Sequence, residues 1–255
     1  MNIIGITGAS GSGKTYFSKQ LGKSLEDSSI INLDYTFFEI LNTDSEIREQ
    51  IINLYGEKAY DRSGYINISE LQNMKEFKFE NFFNIIKDKL DNKILQIINE
   101  NESKNIQNLV IEWFLLPKTI AFQMSDYSIL ISPSEKDREK SLLKRDENET
   151  TEKIKKRTEA IPIDYNDYNY DKISINTYQK ECYDKDIEEI VKQQENVKRK
   201  EPVTQVSKES LFSSQEIGKN TINTPTKNKD KAQKQVQQDE KMLQQGQEIE
   251  DNQLK

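Results

Sequence analysis

The stretch Gly8-Ala9-Ser10-Gly11-Ser12-Gly13-Lys14-Thr15 constrains this chain more than any other. It fits G-x-x-x-x-G-K-[ST], the phosphate-binding P-loop. Before it runs Asn2-Ile3-Ile4-Gly5-Ile6-Thr7, short, apolar and β-branched, which predicts a strand. After it, Phe17, Leu21 and Leu25 recur every four residues, which predicts one buried face of a helix. Glycines let successive N–H groups turn inward around phosphate oxygens, and the following helix directs its N-terminal partial charge at the same anion. Gly11, Ser12, Gly13, Lys14, Thr15 and Tyr16 are therefore the candidate nucleotide-binding residues. Lys14 supplies a cation for the β- and γ-phosphates, and Thr15 a hydroxyl for Mg²⁺.

The 255-residue chain contains no histidine, so a general base has to be a carboxylate and a His-ligated metal site is excluded. Asp34 ends the second strand candidate, Ser29 to Asp34, where ligands of parallel α/β sheets bind. It reads as the base, with a helix-cap or turn aspartate as the alternative. Glu112 ends the run Leu109-Val110-Ile111-Glu112, the third strand. It reads either as a carboxylate for a Mg²⁺ water or a substrate group, or as a solvated strand end.

Between these strands, Ile40, Ile47, Ile51 and Leu54 predict a helical region ending at Gly56, and Asp61 to Tyr65 a turn. A short helix over 66–74 is capped by Asn67 or Ser69, and Phe82, Ile86, Leu90, Ile94 and Ile97 mark one face of a long helix. Tyr127 to Ile131 is the fourth strand. Ser132, Pro133 and Glu135 read as N-cap, first helical residue and capping-box partner of a basic helix carrying Arg138, Lys140, Lys144 and Arg145. A second basic helix over 149–160 stops at Pro162. Basic helices here suit a lid over phosphates, or equally a solvated charged face. Tyr165 to Tyr170 is a loop, Asp171 to Asn176 a final strand, and Glu181 to Gln193 a last helix.

Strands near 2–7, 29–33, 106–112, 127–131 and 172–175 alternate with helices. The fold class is therefore α/β, a P-loop NTPase-type three-layer fold with a parallel sheet, a helical substrate-binding insertion (about 38–104) and a helical lid (about 133–162). The domain spans 1–192. From Gln193 the chain is Gln, Lys, Glu, Asn, Ser and Thr with few apolar residues, a composition expected to form a disordered tail over 193–255. A net charge of -7 does not point to nucleic acid. The one cysteine, Cys182, suits a reducing cytosol, and the short N-terminal apolar run predicts neither signal peptide nor membrane span. A cytoplasmic protein is expected. The oligomeric state is open.

These residues resemble the dephospho-coenzyme A kinase family over about residues 2–192. Ile4 to Thr15 matches its opening motif, and Asn32-Leu33-Asp34 lies where the family has Asp-Ala-Asp. Leu54-Tyr55-Gly56 and Asp61 to Leu71 look like its Phe-Gly segment and glycine turn. Lys144-Arg145-Asp146 matches the end of its lid helix, and Asp171 to Asn176 its Asp-x-Val-Ile-x-Asn strand. The departures fall mainly on the substrate side: Asn32 for the first aspartate, Ile68 for an arginine, Lys87-Asp88 for His-Pro, and Glu112-Trp113-Phe114-Leu115-Leu116 without the proline. The resemblance implies transfer of the γ-phosphoryl of ATP, with Mg²⁺, to the ribose 3′-hydroxyl of dephospho-CoA. It implies Lys14, Asp34 and Arg145 as catalytic residues and Asn176 near the adenine. A uridine-kinase-like or other small nucleoside or nucleotide kinase, and a nucleotide-binding module without catalysis, remain alternatives. A GTPase is disfavoured, because no Asn-Lys-x-Asp motif follows a late strand.

Overall fold

The computed structural model describes residues 1–146, 150, 152, 154–155, 163–179 and 181–198. The second basic helix expected over 149–160 lies mostly outside the described residues, as do Pro162 and residues 199–255.

Five strands, β1 (Asn2–Thr7), β2 (Ser28–Asn32), β3 (Asn108–Glu112), β4 (Tyr127–Ile131) and β5 (Lys172–Ser174), form one sheet in the order β2-β3-β1-β4-β5. Every pairing is parallel. Outside residues 147–162, the α-helices among the described residues are α1 (Lys14–Ser24), α2 (Leu33–Thr43), α3 (Ser45–Tyr55), α4 (Ile68–Asn73), α5 (Phe79–Ser103), α6 (Ile120–Gln123), α7 (Glu135–Arg145) and α8 (Asp184–Lys198).

Strand periodicity divides the core in two. Ile4 and Ile6 of β1, Val110 of β3, and Ile129 and Ile131 of β4 pack against Phe17, Leu21 and Leu25 and against Tyr183, Ile187 and Ile190 at α8. Ile3, Leu109 and Ile111 face the other way, into the core made by α2 to α6 with Trp113, Leu115 and Leu116. After β1 the chain therefore turns to one face, and after β3 to the other. The ends of these neighbouring strands leave a crevice at the point where the strand order reverses. Glu112 shares the parity of Val110, so it faces α1.

The insertion between β2 and β3 is helical, as the periodicity predicts, but it is cut differently. Asp44 divides the region before Gly56 into α2 and α3, accepting the N–H groups of Glu46 and Ile47 at 3.1 Å. Gly56, at a φ of 81°, ends α3. Leu54 is 50% exposed rather than buried. On α5 the buried stripe runs through Phe79, Phe82, Phe83, Ile86, Leu90, Ile94 and Ile98. Ile98 replaces the expected Ile97: the buried stripe keeps the four-residue spacing from Phe82 through Ile94 to Ile98, and Ile97 instead lines an open cavity. The Asp61 turn and the Asn67 cap match expectation: Asp61 Oδ1 accepts from Ser63 N and Tyr65 N, and Asn67 Oδ1 from Glu70 N.

Three other expectations are corrected. β2 ends at Asn32, and Asp34 lies in the first turn of α2, because the Asn32 side chain accepts the Asp34 N–H at 2.8 Å and starts the helix. The cap of α7 is Ser134, with Asp137 as its reciprocal partner, in place of Ser132 with Glu135. The last helix starts at Asp184 and continues to Lys198, and Gln194 is 4% exposed within it.

Candidate functional site

The P-loop is held through its carbonyl groups, by its own lysine and by side chains from outside it. Ala9 O accepts Lys14 Nζ at 3.1 Å, and Ser10 O lies 3.4 Å from Arg138 Nη1. Gly11 O accepts the Tyr178 hydroxyl, and Ser12 O accepts Asn176 Nδ2 at 2.8 Å. The Ser12 N–H also closes back on Ala9 O at 3.1 Å, so the loop is a tight turn with its carbonyls engaged, the kind of glycine-rich turn that receives phosphate oxygens on its N–H groups. Gly11 and Gly13 sit at φ of 76° and 89°. At Gly13 a Cβ would meet Asn176 Nδ2 at 2.5 Å and the Tyr183 hydroxyl at 2.9 Å, so the close approach of this clamp requires glycine. The buried Ser12 Oγ has no hydrogen-bond partner among the described residues, an orphaned polar atom that a phosphate oxygen would satisfy.

At the ends of β2 and β3, three side chains interlock. Glu112 is 3% exposed. Its Oε1 accepts Asn32 Nδ2 at 3.1 Å, and the Ser18 hydroxyl lies 3.3 Å from Oε2. Thr15 lies beside this carboxyl, lining the same cavity. The solvated reading of Glu112 is therefore wrong, for a reason visible in the topology: β3 is an interior strand, and its even face meets α1. Burial pushes the Glu112 carboxyl above its ordinary value, opposed by Lys14 and by the neighbouring Thr15 and Ser18 hydroxyls and reinforced by the charge of Asp34. Thr15 and Glu112 together present the hard oxygen donors that suit Mg²⁺. Among the described residues no group of three or more His, Cys, Asp and Glu comes together, so phosphate and water oxygens would have to complete such a site.

Asp34 faces the same crevice. Its Oδ1 accepts Trp113 Nε1 at 2.6 Å. Burial raises its carboxyl above the ordinary value, while Lys14, the Trp113 hydrogen bond and Arg145 act in the opposite direction. Arg145, at the end of α7, ion-pairs with the adjacent Asp146 at 3.0 Å, and its Nη2 lies 3.5 Å from Ser10 Oγ. Of the sequence-read residues, the structure thus brings Lys14, Thr15, Asp34, Glu112 and Arg145 around one crevice.

Tyr16 and Asn176 lie to one side of it. They line a cavity of about 250 Å³ with Tyr178, Cys182, Tyr183 and Lys144. Asn176 Oδ1 accepts the Tyr178 N–H at 2.7 Å, so this asparagine ties the chain after β5 to the P-loop. A second, more open cavity of about 480 Å³ lies beside Thr15 and Glu112, walled by Lys19, Ile30, Tyr35 and Ile97.

Trp113 and Tyr178 escaped the sequence reading. A tryptophan after an apolar strand reads as core, and nothing in sequence discloses a donor aimed at a residue 79 positions away. Tyr178 has a φ of 55°, a left-handed conformation that tyrosine rarely adopts and that no spacing announces. Asn32 carried a readable signal, since asparagine before a helical run is a cap.

The all-parallel sheet, the glycine loop between β1 and α1, and the flanking helices define an α/β fold of the P-loop NTPase-like type. No family model matches the chain, and no curated protein does. Among solved structures, TT1252 from Thermus thermophilus is similar over 75% of this chain and 97% of its own, with a TM-score of 0.55 and 16% identity. That likeness bears on the fold alone. A dephospho-CoA kinase from Campylobacter jejuni aligns over 76% of this chain and 97% of its own, with a TM-score of 0.46 and 20% identity. An uncharacterised protein from Eubacterium ventriosum aligns over 76% and 99%, with a TM-score of 0.39 and 16% identity. Among the described residues no helix is long and apolar enough to cross a membrane.

Proposed function

We propose that this chain is an ATP-dependent phosphotransferase whose acceptor is the ribose 3′-hydroxyl of dephospho-CoA. The observation that supports the phosphotransfer reading is that Lys14 and Arg145 both reach the glycine loop, at Ala9 O and Ser10 Oγ, and that the charge of each acts on the Asp34 carboxyl. A cation, a carboxylate and a lid arginine around one phosphate cradle are the groups phosphoryl transfer needs. The choice of acceptor rests on the sequence motifs: the Gly56 to Leu71 segment, Lys144-Arg145-Asp146 and the Asp171 to Asn176 strand.

In this reading the triphosphate lies along the loop N–H groups, and the nucleoside enters the 250 Å³ cavity beside Tyr16 and Asn176. Thr15 and Glu112 would hold Mg²⁺, which when bound neutralises charge on the β- and γ-phosphates. The acceptor hydroxyl gives its proton to Asp34, and its oxygen bonds to the γ-phosphorus. The bond from that phosphorus to the β–γ bridging oxygen breaks, and ADP leaves with the electron pair. Lys14 and Arg145 stabilise the equatorial oxygens throughout. A phosphotransfer assay with dephospho-CoA, uridine and the nucleoside monophosphates as acceptors tests the proposal. Preferential turnover of dephospho-CoA is expected. Preferential turnover of uridine or a monophosphate would keep the kinase reading and overturn the acceptor.

A further inference from the structure

Trp113 packs in the core, yet its one polar group reaches the candidate site. It lies one residue beyond β3, with its backbone N–H donating to Ile6 O at 3.0 Å, so the ladder with β1 fixes its backbone. It is 1% exposed. Its ring sits among Phe37, Phe83 and Phe114, with centroids 5.2, 6.2 and 5.5 Å away, and these hold its orientation. Within this apolar cage the single indole N–H points at Asp34 Oδ1, 2.6 Å away. Asp34 is tied at its own backbone as well, through Asn32. Oδ2 of Asp34 accepts no hydrogen bond among the described residues.

We propose that Trp113 is a positioning residue for phosphoryl transfer: its indole N–H occupies Oδ1 of Asp34 and fixes the carboxylate so that Oδ2 is the oxygen offered to the acceptor hydroxyl. This deepens, and rests on, the reading of Asp34 as the base. A carboxylate free to rotate would present either oxygen over a range of angles. One strong hydrogen bond from a caged ring removes that freedom, and misplacement of a reacting group by about 1 Å can cost about 10²-fold in rate. The other charged groups around Asp34 are Lys14 of α1, Glu112 of β3 and Arg145 of α7, the last paired with Asp146. None of them holds Asp34 Oδ1 in the way the indole does.

The test is a double-mutant cycle of Trp113→Phe with Asp34→Asn, scored by kcat and by KM for ATP. Phenylalanine keeps an aromatic ring in the cage and removes the N–H. Trp113→Phe is expected to lower kcat about 10- to 100-fold with KM for ATP changed less than about twofold. In the Asp34→Asn background the same change is expected to lower kcat less than about threefold, because the group it orients is no longer a base. Trp113 is the only tryptophan in the chain, so biosynthetic replacement by the isosteric benzothienyl analogue, sulfur in place of N–H, changes this one position. The analogue should reproduce the kcat loss of Trp113→Phe while filling the same space in the cage, which covers the case in which the phenylalanine variant folds poorly. Equal losses in both backgrounds, or full activity with the analogue, would overturn the proposal while leaving Asp34 as the base. An Asp34→Asn variant with wild-type kcat would instead overturn the reading of Asp34.

Discussion

Asn32 and Glu112 face each other in register across the parallel strands β2 and β3, and the Asn32 amide donates to Glu112 Oε1 at 3.1 Å. The oxygen of the same amide caps α2 by accepting the Asp34 N–H. One neutral side chain thus joins the backbone of the candidate base to the candidate metal-binding carboxylate.

Replacing Asn32 by Asp keeps a capping oxygen but sets a carboxylate against the buried Glu112. Loss of the amide donor is expected to cost about 1–3 kcal/mol of stability near pH 7. The mutual repulsion raises the folded-state pKa of the pair, so the deficit should shrink as pH falls and one carboxyl takes up a proton. Denaturant unfolding of both proteins at several pH values measures it. A deficit that does not change with pH would contradict the facing arrangement.

Burial already raises the carboxyls of Asp34 and Glu112. A group whose folded pKa lies above its unfolded value adds stability fully below the unfolded value and loses it as pH rises through the folded one. Stability should therefore decline as pH climbs out of the ordinary carboxylate range. Glu112→Gln should flatten that decline and gain about 0.5–2 kcal/mol at neutral pH, while lowering activity. Melting curves across pH, paired with turnover, test this. An unchanged pH slope in the variant would show that Glu112 does not carry the strain.

The acid limb of kcat/KM should likewise lie above the usual aspartate range, because Asp34 has to be ionised to accept a proton and its burial resists ionisation. A limb at or below that range would assign the step to another group.

Much of this arrangement is legible in the sequence. The glycine motif between a β-branched run and a four-residue apolar spacing locates β1, the loop and α1, and three carboxyl ends of strands locate Asp34, Glu112 and Asn176. Boundaries are less legible where a side chain decides them. Asn32 converts the expected end of β2 into a helix start, and Ser134 moves the start of α7, because several residues nearby carry equally good capping groups. The orientations of Trp113 and Tyr178 arise only from packing among distant segments, which periodicity does not record.

The end of α8 gives a stability test. Truncation after Lys198 removes a stretch of mostly polar composition and should leave the melting temperature within about 1–2 °C, whereas truncation after Lys192 removes the buried Gln194 and the last turn and should lower it clearly. A clear drop on truncation after Lys198 would show that residues beyond it pack on the domain, and no drop after Lys192 would show that the last turn of α8 does not contribute.

Lys14→Ala should abolish phosphotransfer with little loss of stability, since its ammonium bonds the Ala9 carbonyl on a surface loop rather than filling the core. Calorimetry beside the activity assay checks both halves, and a variant retaining near-normal turnover would remove the P-loop from the mechanism.

The most direct measurement follows label from γ-labelled ATP into dephospho-CoA with the wild-type protein and with Asp34→Asn, nucleotide binding being measured in parallel. The account predicts labelled coenzyme A from the wild type, and a rate lower by about 10²–10⁴-fold in the variant, with ATP binding retained. Failure of the wild type to label any acceptor while it binds ATP, or equal rates in the two proteins, would contradict it.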